Sequence, residues 1–317
     1  GRCILALEAL RGSLVLFSHA SGESAWQFKH PTIGDAYATL LMQSPEHLDI
    51  FIQGSAPDRL IDQVTCGDVG LEKAIVVPKS LFPPMLARLR EMLQSRSYKT
   101  AWLSTFGAKR DLQGFLANRC SKEFLSLYLK DNPDLLDQVS EPGLFLDTVP
   151  EVRLAKRLHQ FGLLPEEKRK KFVETVSTYA LDGQDGDALD DDGIQSLFTS
   201  EEFEELVHRV RTELLPRLDD VRYEWESNHS AGEPPDEHMQ QLLEFFSSVK
   251  ERFMDDEGTV KLIDRQIERT NEWIDENTPE EPERSPRKLG KIETPAESRS
   301  ARSIFDDIDA NEDADGP

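Results

Sequence analysis

From Phe82 to Ile274 the apolar side chains recur at spacings of three and four. That period lines them along one face of a helix, whereas a half-buried strand would alternate every second residue. Phe82, Met85, Leu86, Leu89 and Leu93 mark one amphipathic helix. Phe124, Leu127 and Tyr128 mark another, Leu135, Leu136 and Val139 a third, and Phe172, Val173, Val176 and Tyr179 a fourth. The chain therefore reads as mainly α, with irregular helical layers over 96–180. No fixed period relates these segments, so no repeat family is indicated.

The front of the chain reads differently. Ile4, Leu5, Leu7 and Leu10 group as on a short helix, and Gly12 follows as a C-cap. Residues 14–18 form an apolar β-type run, and Ala25 to Phe28 alternates with period two. Pro31 and Thr32 open a helix carrying Ile33, Ala36, Tyr37, Leu40 and Leu41. Helix, hairpin and helix predict a winged-helix-like element with a short β-hairpin, and residues 1–95 are grouped as its regulatory region. From 45 to 95 the pattern stays helical but broken, with one buried strand at 74–77. His30 ends the second strand of the wing. By position alone it reads as a satisfied structural histidine.

Charge divides the chain a second time. The formal net charge is −23, of which residues 1–180 contribute +1 and residues 181–317 contribute −24. The break falls at a Gly/Asp stretch, and 181–199 reads as an acidic linker that cannot bury itself. Residues 200–277 read as an acidic, antiparallel helical bundle. Its first helix, 200–229, is capped by Ser200 and kinked by Pro216, at a cost of roughly 3 kcal/mol. Helices at 236–253 and 258–276 complete it. Residues 278–317 are rich in Pro, Ser, Glu and Arg and read as a disordered tail. One apolar island, 302–309, interrupts it.

These facts exclude several classes. The acidic C-terminal half would repel a nucleic acid or an anionic membrane. No apolar run approaches the roughly 18 residues of a membrane span. Three scattered cysteines without a CxxC suit a reducing, cytoplasmic setting and offer no metal framework. Neither a phosphate loop, a GxSxG elbow nor HExxH is present. From Asp182 an EF-hand register would put Gly186 at position 5 and Asp187 at position 6, which fails the calcium pattern. Lys168-Arg-Lys-Lys171 reads as a solvated helix face, with Glu166 and Glu167 pairing to Lys170 and Lys171. No catalytic residue and no metal site are expected, and no cofactor is expected in this fragment by itself.

The order Trp26-Gln-Phe-Lys-His-Pro-Thr-Ile33 is aromatic-x-Phe-x-His-x-Thr-Ile at the exit of a β-wing. It resembles the regulatory winged helix of STAND proteins, which are multidomain signal-transduction ATPases. Residues 40–55 (LLMQSPEHLDIFIQGS), 63–70 (QVTCGDVG) and 76–82 (VVPKSLF) resemble the third subgroup of novel STAND NTPases. Residues 214–226 (LLPRLDDVRYEWE) and 302–309 (RSIFDDID) resemble the C-terminal regions of its long bacterial members. The resemblance implies an NTPase module in cis, upstream of Gly1, with ATP and ADP as its nucleotides. An effector nuclease often stands before that module. It also implies a role in bacterial antiphage defence or signalling. The C-terminal helices would sense a protein trigger, and activation would bring a homo-oligomer together. In the wider family a histidine at the wing's exit contacts the β-phosphate of bound ADP, and His30 occupies that position. The family order is Met-His-Asp. Here it is Lys29-His30-Pro31, so the acid is lost. A histidine on a diphosphate can donate a charge-assisted hydrogen bond of about 1.5–3 kcal/mol.

The expectation is therefore a regulatory and sensor region, not itself an enzyme, within a larger nucleotide switch. Two other classes compete with it. One is a helical adaptor or scaffold that docks a basic partner. The other is a winged-helix DNA-binding regulator, which is poorly served because the segment 3–11 has only Arg2 and Arg11 beside it. The tail island is a candidate short linear motif, binding in cis or in trans. Ile304, Phe305 and Ile308 share one helix face, and Arg302, Asp306 and Asp307 could add charge pairing.

Overall fold

A computed structural model describes residues 2–20, 23–72, 74–94, 102–230 and 232–278. Helix α1 (Arg2–Leu10) leads into a hairpin of β1 (Val15–Ala20) and β2 (Glu23–Phe28), and α2 (Pro31–Met42) follows. The strands run antiparallel, Val15 opposite Phe28 and Ala20 opposite Glu23. This helix, hairpin and helix order is the one read from the sequence. Helix α2 starts at Pro31 because proline presets φ and has no N–H to leave unpaired at N1.

Helices α3 (Pro45–Gly54) and α4 (Pro57–Gln63) also open on proline. Helix α4 runs straight into β3 (Val64–Cys66), which pairs in parallel with β4 (Ile75–Val77), Val64 opposite Ile75. The sequence pattern marks β4 but gives 64–66 to a helix. Val64 and Thr65 are β-branched and fully enclosed, and burial on all sides removes the alternation that would have marked a strand. Cys66 also forms an isolated backbone β-bridge with Cys120, both thiols being free, and its carbonyl accepts the Ser121 N–H at 2.8 Å.

The helical part continues with α5 (Phe82–Gln94), α6 (Trp102–Arg119), α7 (Lys122–Asp131), α8 (Leu135–Ser140), α9 (Pro150–Gln160) and α10 (Glu166–Leu181). Helix α9 packs on α6 and α8, and α10 on α8. Two short helices, α11 (Asp187–Asp190) and α12 (Asp192–Gln195), precede α13 (Ser200–Arg209), α14 (Leu218–Asn228), α15 (Pro235–Arg252) and α16 (Glu257–Asn277). Helices α14, α15 and α16 pack on one another. The molecule is mainly helical, as expected. Among the described residues no helix is long and apolar enough to cross a membrane.

One buried cluster runs from Leu41 to Ile263, so the divisions expected at 95, 180 and 199 do not separate cores. The stretch 181–199 is not a solvated linker. Leu181, Ala188, Leu189, Ile194 and Leu197 are buried in that cluster, and α11 lies against α15. Two glycines make the approach possible. Gly183 has φ +72° and a Cβ there would run into Val221, while a Cβ on Gly186 would strike Ser248. The aspartates between the apolar positions conceal this in the sequence. Residues 279–317 lie outside the described residues, and so do Arg302, Ile304, Phe305, Asp306, Asp307 and Ile308 of the tail motif.

The helix expected over 200–229 is broken as Pro216 requires. A π-turn (Val210–Leu214) and a 3-10 turn (Leu215–Arg217) separate α13 from α14. Its cap is Thr199, not Ser200. The Thr199 hydroxyl accepts the Glu202 N–H, and the Glu202 carboxylate accepts the Thr199 N–H at 2.9 Å.

Glu202 also receives Arg169 from α10 at 2.6 and 2.8 Å. The same buried guanidinium donates to Glu166 and to the Leu197 carbonyl. Three of the four bases in 168–171 thus pair with acids elsewhere in the chain, Arg169 from a buried position. Lys168 pairs with Asp137 and Lys171 with Glu141, in place of the expected pairs along the helix. Arg169 holds the Glu202 carboxyl down at about 2.

Candidate functional site

The hairpin delivers His30 to the start of α2. His30 is exposed, and its side chain caps the helix. Its Nδ1 accepts the Thr32 N–H at 3.3 Å and lies 2.9 Å from the Thr32 hydroxyl. A ring nitrogen that accepts carries no proton, so this cap assigns the tautomer with hydrogen on Nε2. Thr32 thereby holds the ring and leaves an N–H donor on an exposed side chain.

A cleft of about 460 Å³ lies on the other side of α2. Phe28, Tyr37 and Phe51 form an aromatic row along it, with ring centroids 5.5 and 6.4 Å apart. Arg119 and the acids Asp35, Asp62 and Glu72 also line it. His30 does not. The structure therefore places the sequence-derived candidate at the mouth of the hairpin, outside the lining of this cleft.

Around this end many apolar side chains face outward. Leu5, Leu14, Leu16, Phe28, Leu40, Met42 and Ile50 are all exposed.

A second concentration of chemistry was not singled out by sequence spacing. Asp147, Asp185, Asp187, Asp190 and Glu244 surround a cleft of about 320 Å³ between the loop before α9, the α11 turn and α15. Asp185 is buried, and its carboxylate accepts the N–H groups of Leu146 and Asp187, each at 2.9 Å. This pins the loop whose Phe145 has φ +68°. A non-glycine residue in that region costs of order 1–3 kcal/mol. Burial raises the Asp187 carboxyl to about 7, helped by the charges of Asp185, Asp147 and Asp190. Burial also raises Asp185, against the two N–H groups that favour its charged form. Among the described residues no group of three or more His, Cys, Asp or Glu side chains is placed to hold a metal ion. The available signal was the aspartate count in 182–193 joined to Asp147, which only the fold brings near.

No family model, curated protein or solved structure matches this chain.

Proposed function

We propose that this chain is the regulatory and sensor region of a STAND-type nucleotide switch, acting on an NTPase module in cis. The reading rests on the residues of the wing exit and on one geometric observation. His30 stands exposed with Nδ1 committed to Thr32, so Nε2–H is the donor it offers. The exposed apolar side chains of α1, the hairpin and α2 supply a surface on which such a module would seat. A phosphate oxygen of bound ADP would accept from Nε2, and the contact would hold the resting state. The helices behind it would sense the trigger, and a homo-oligomer would follow release.

The test is retention of labelled ADP by the native polypeptide purified from its own source. His30→Ala should speed ADP loss about ten-fold or more, as expected for one charge-assisted hydrogen bond. Unchanged retention removes His30 from the switch. If the native polypeptide holds no nucleotide, the switch reading is lost. A helical adaptor docking a basic partner then takes its place, the reading that the five-carboxylate cleft favours.

A further inference from the structure

Gln113 is an anomaly in the helical region. It lies in α6 at 2% exposure, and neither its amide nitrogen nor its amide oxygen has a hydrogen-bond partner. Buried amides are ordinarily satisfied, because desolvation without a partner is costly. Gln113 lines a groove of about 300 Å³ between α6 and the start of α9.

The groove has three further properties. Leu144 and Phe145 stand exposed on one side, and Val149 and Pro150 line the other. Helix α9 opens there with no side-chain cap, so its first N–H groups favour a negative partner. Arg110 and Lys109 stand at the edge. Arg110 donates to the Thr148 carbonyl at 3.3 Å, and Lys109 lies 3.9 Å from Glu151. The two cations outnumber the one acid along this edge.

We infer that this groove binds an extended peptide segment of a partner protein, one in which an apolar residue stands next to an acidic one. Both amide atoms are closed to solvent as the side chain stands, so on binding the Gln113 side chain would turn outward and its amide would pair with a peptide N–H and C=O, the two groups that complement its own acceptor and donor. The apolar side chain would fill the space between Phe145 and Val149. The acid would reach Arg110 and the uncapped end of α9. A basic segment would meet like charge at that edge.

The experiment uses the full chain and a labelled probe, acetyl-Ala-Leu-Phe-Asp-Glu-Leu-amide, followed by fluorescence anisotropy. A second probe carries Asn and Gln in place of its acids, and a third carries lysines. The acidic probe should bind, and the lysine probe should not. Gln113→Leu keeps the volume and removes the unpartnered amide. It should raise the melting temperature while weakening the acidic probe about ten-fold, the loss expected for unmade hydrogen bonds. Arg110→Ala should weaken the acidic probe but not the Asn/Gln probe. Equal binding to wild type and Gln113→Leu overturns the proposal, as does absence of binding at millimolar probe. A melting temperature that falls in Gln113→Leu shows that the amide is satisfied internally, by water, and overturns it as well. Equal affinity for the acidic and lysine probes removes the charge selection on which the choice of partner depends.

Discussion

The hairpin end of the molecule carries its apolar side chains outward, while the helices from α9 onward keep theirs inside. Between Leu5 and Ile50 most large apolar residues named above are exposed, and Val15, Leu41 and Leu48 are among the few that are buried. From Val152 to Ile263 the large exposed apolar residues are Tyr223, Met254 and Leu262 among the described residues. The second region is also cross-tied by charge, through Arg169 to Glu166 and Glu202, Lys168 to Asp137, and Lys156 to Asp191 at 2.7 Å. This region keeps its apolar area inside and ties its helices together by charge. The hairpin end has surface left over for a neighbour.

The largest expected effect tests the closed region. Arg169→Met leaves Glu166, Glu202 and the Leu197 carbonyl without their donor. It should cost about 3 kcal/mol in a urea melt at pH 7, the lower figure for breaking a buried pair because Glu202 keeps some solvent. The acid limb should change too. A carboxyl held down at about 2 contributes stability that is present above its ordinary value near 4.5 and lost as pH falls through 2. In Arg169→Met that loss should occur at higher pH. A change below 0.5 kcal/mol would mean that the guanidinium is a surface pair, and the contrast between the two regions would fail.

The next effect concerns the carboxylate cleft. Asp187 sits at about 7, so the folded form binds its proton more readily than the unfolded form does. Stability from this site is therefore fully present below the ordinary value near 3.8 and is lost as pH rises through 7. The charges of Asp185, Asp147 and Asp190 on the same cleft add to the effect of burial on Asp187. Asp187→Asn should raise the urea midpoint at pH 8 and leave it nearly unchanged at pH 4. Equal midpoints for wild type and variant at pH 8 would show that the cleft stores no repulsion.

The smallest effect is at the hairpin end. Leu16→Ser and Leu40→Ser remove exposed apolar area, so each should change stability by no more than about 0.5 kcal/mol. Both should lower binding of an apolar dye. A loss above 2 kcal/mol would show that these side chains are packed within this chain, and the surface would then not be spare.

Sequence periodicity carried much of the fold. The hairpin, α2, α15 and α16 fall within a few residues of their expected bounds, because proline starts and apolar spacing are local signals. Strand β3 was illegible, since three enclosed residues have no pattern of their own. The 181–199 stretch was misread because its buried residues are separated by aspartates. The candidate site was legible only at His30, where strand end and helix start coincide. Gln113 carries no local mark, and its missing partners exist only once α6 lies beside α9. The charge staples of Arg169 join residues 166, 169 and 202, and nothing in the intervening text pairs them.

The bridge from Cys66 to Cys120 has a consequence for the order in which the chain folds. The β1–β2 strands need only a tight turn, and α15 meets α16 across a short connection, so both can close early. The pairing of residue 66 with residues 120 and 121 must wait for a long loop whose closure entropy comes due before its contacts form, whereas β3 and β4 pair across a short connection. The approach of Arg119 to Ile75 across the front cleft is therefore a late event. A chain arrested before it would present the hairpin and the rear helices already formed, with the ground between them still open.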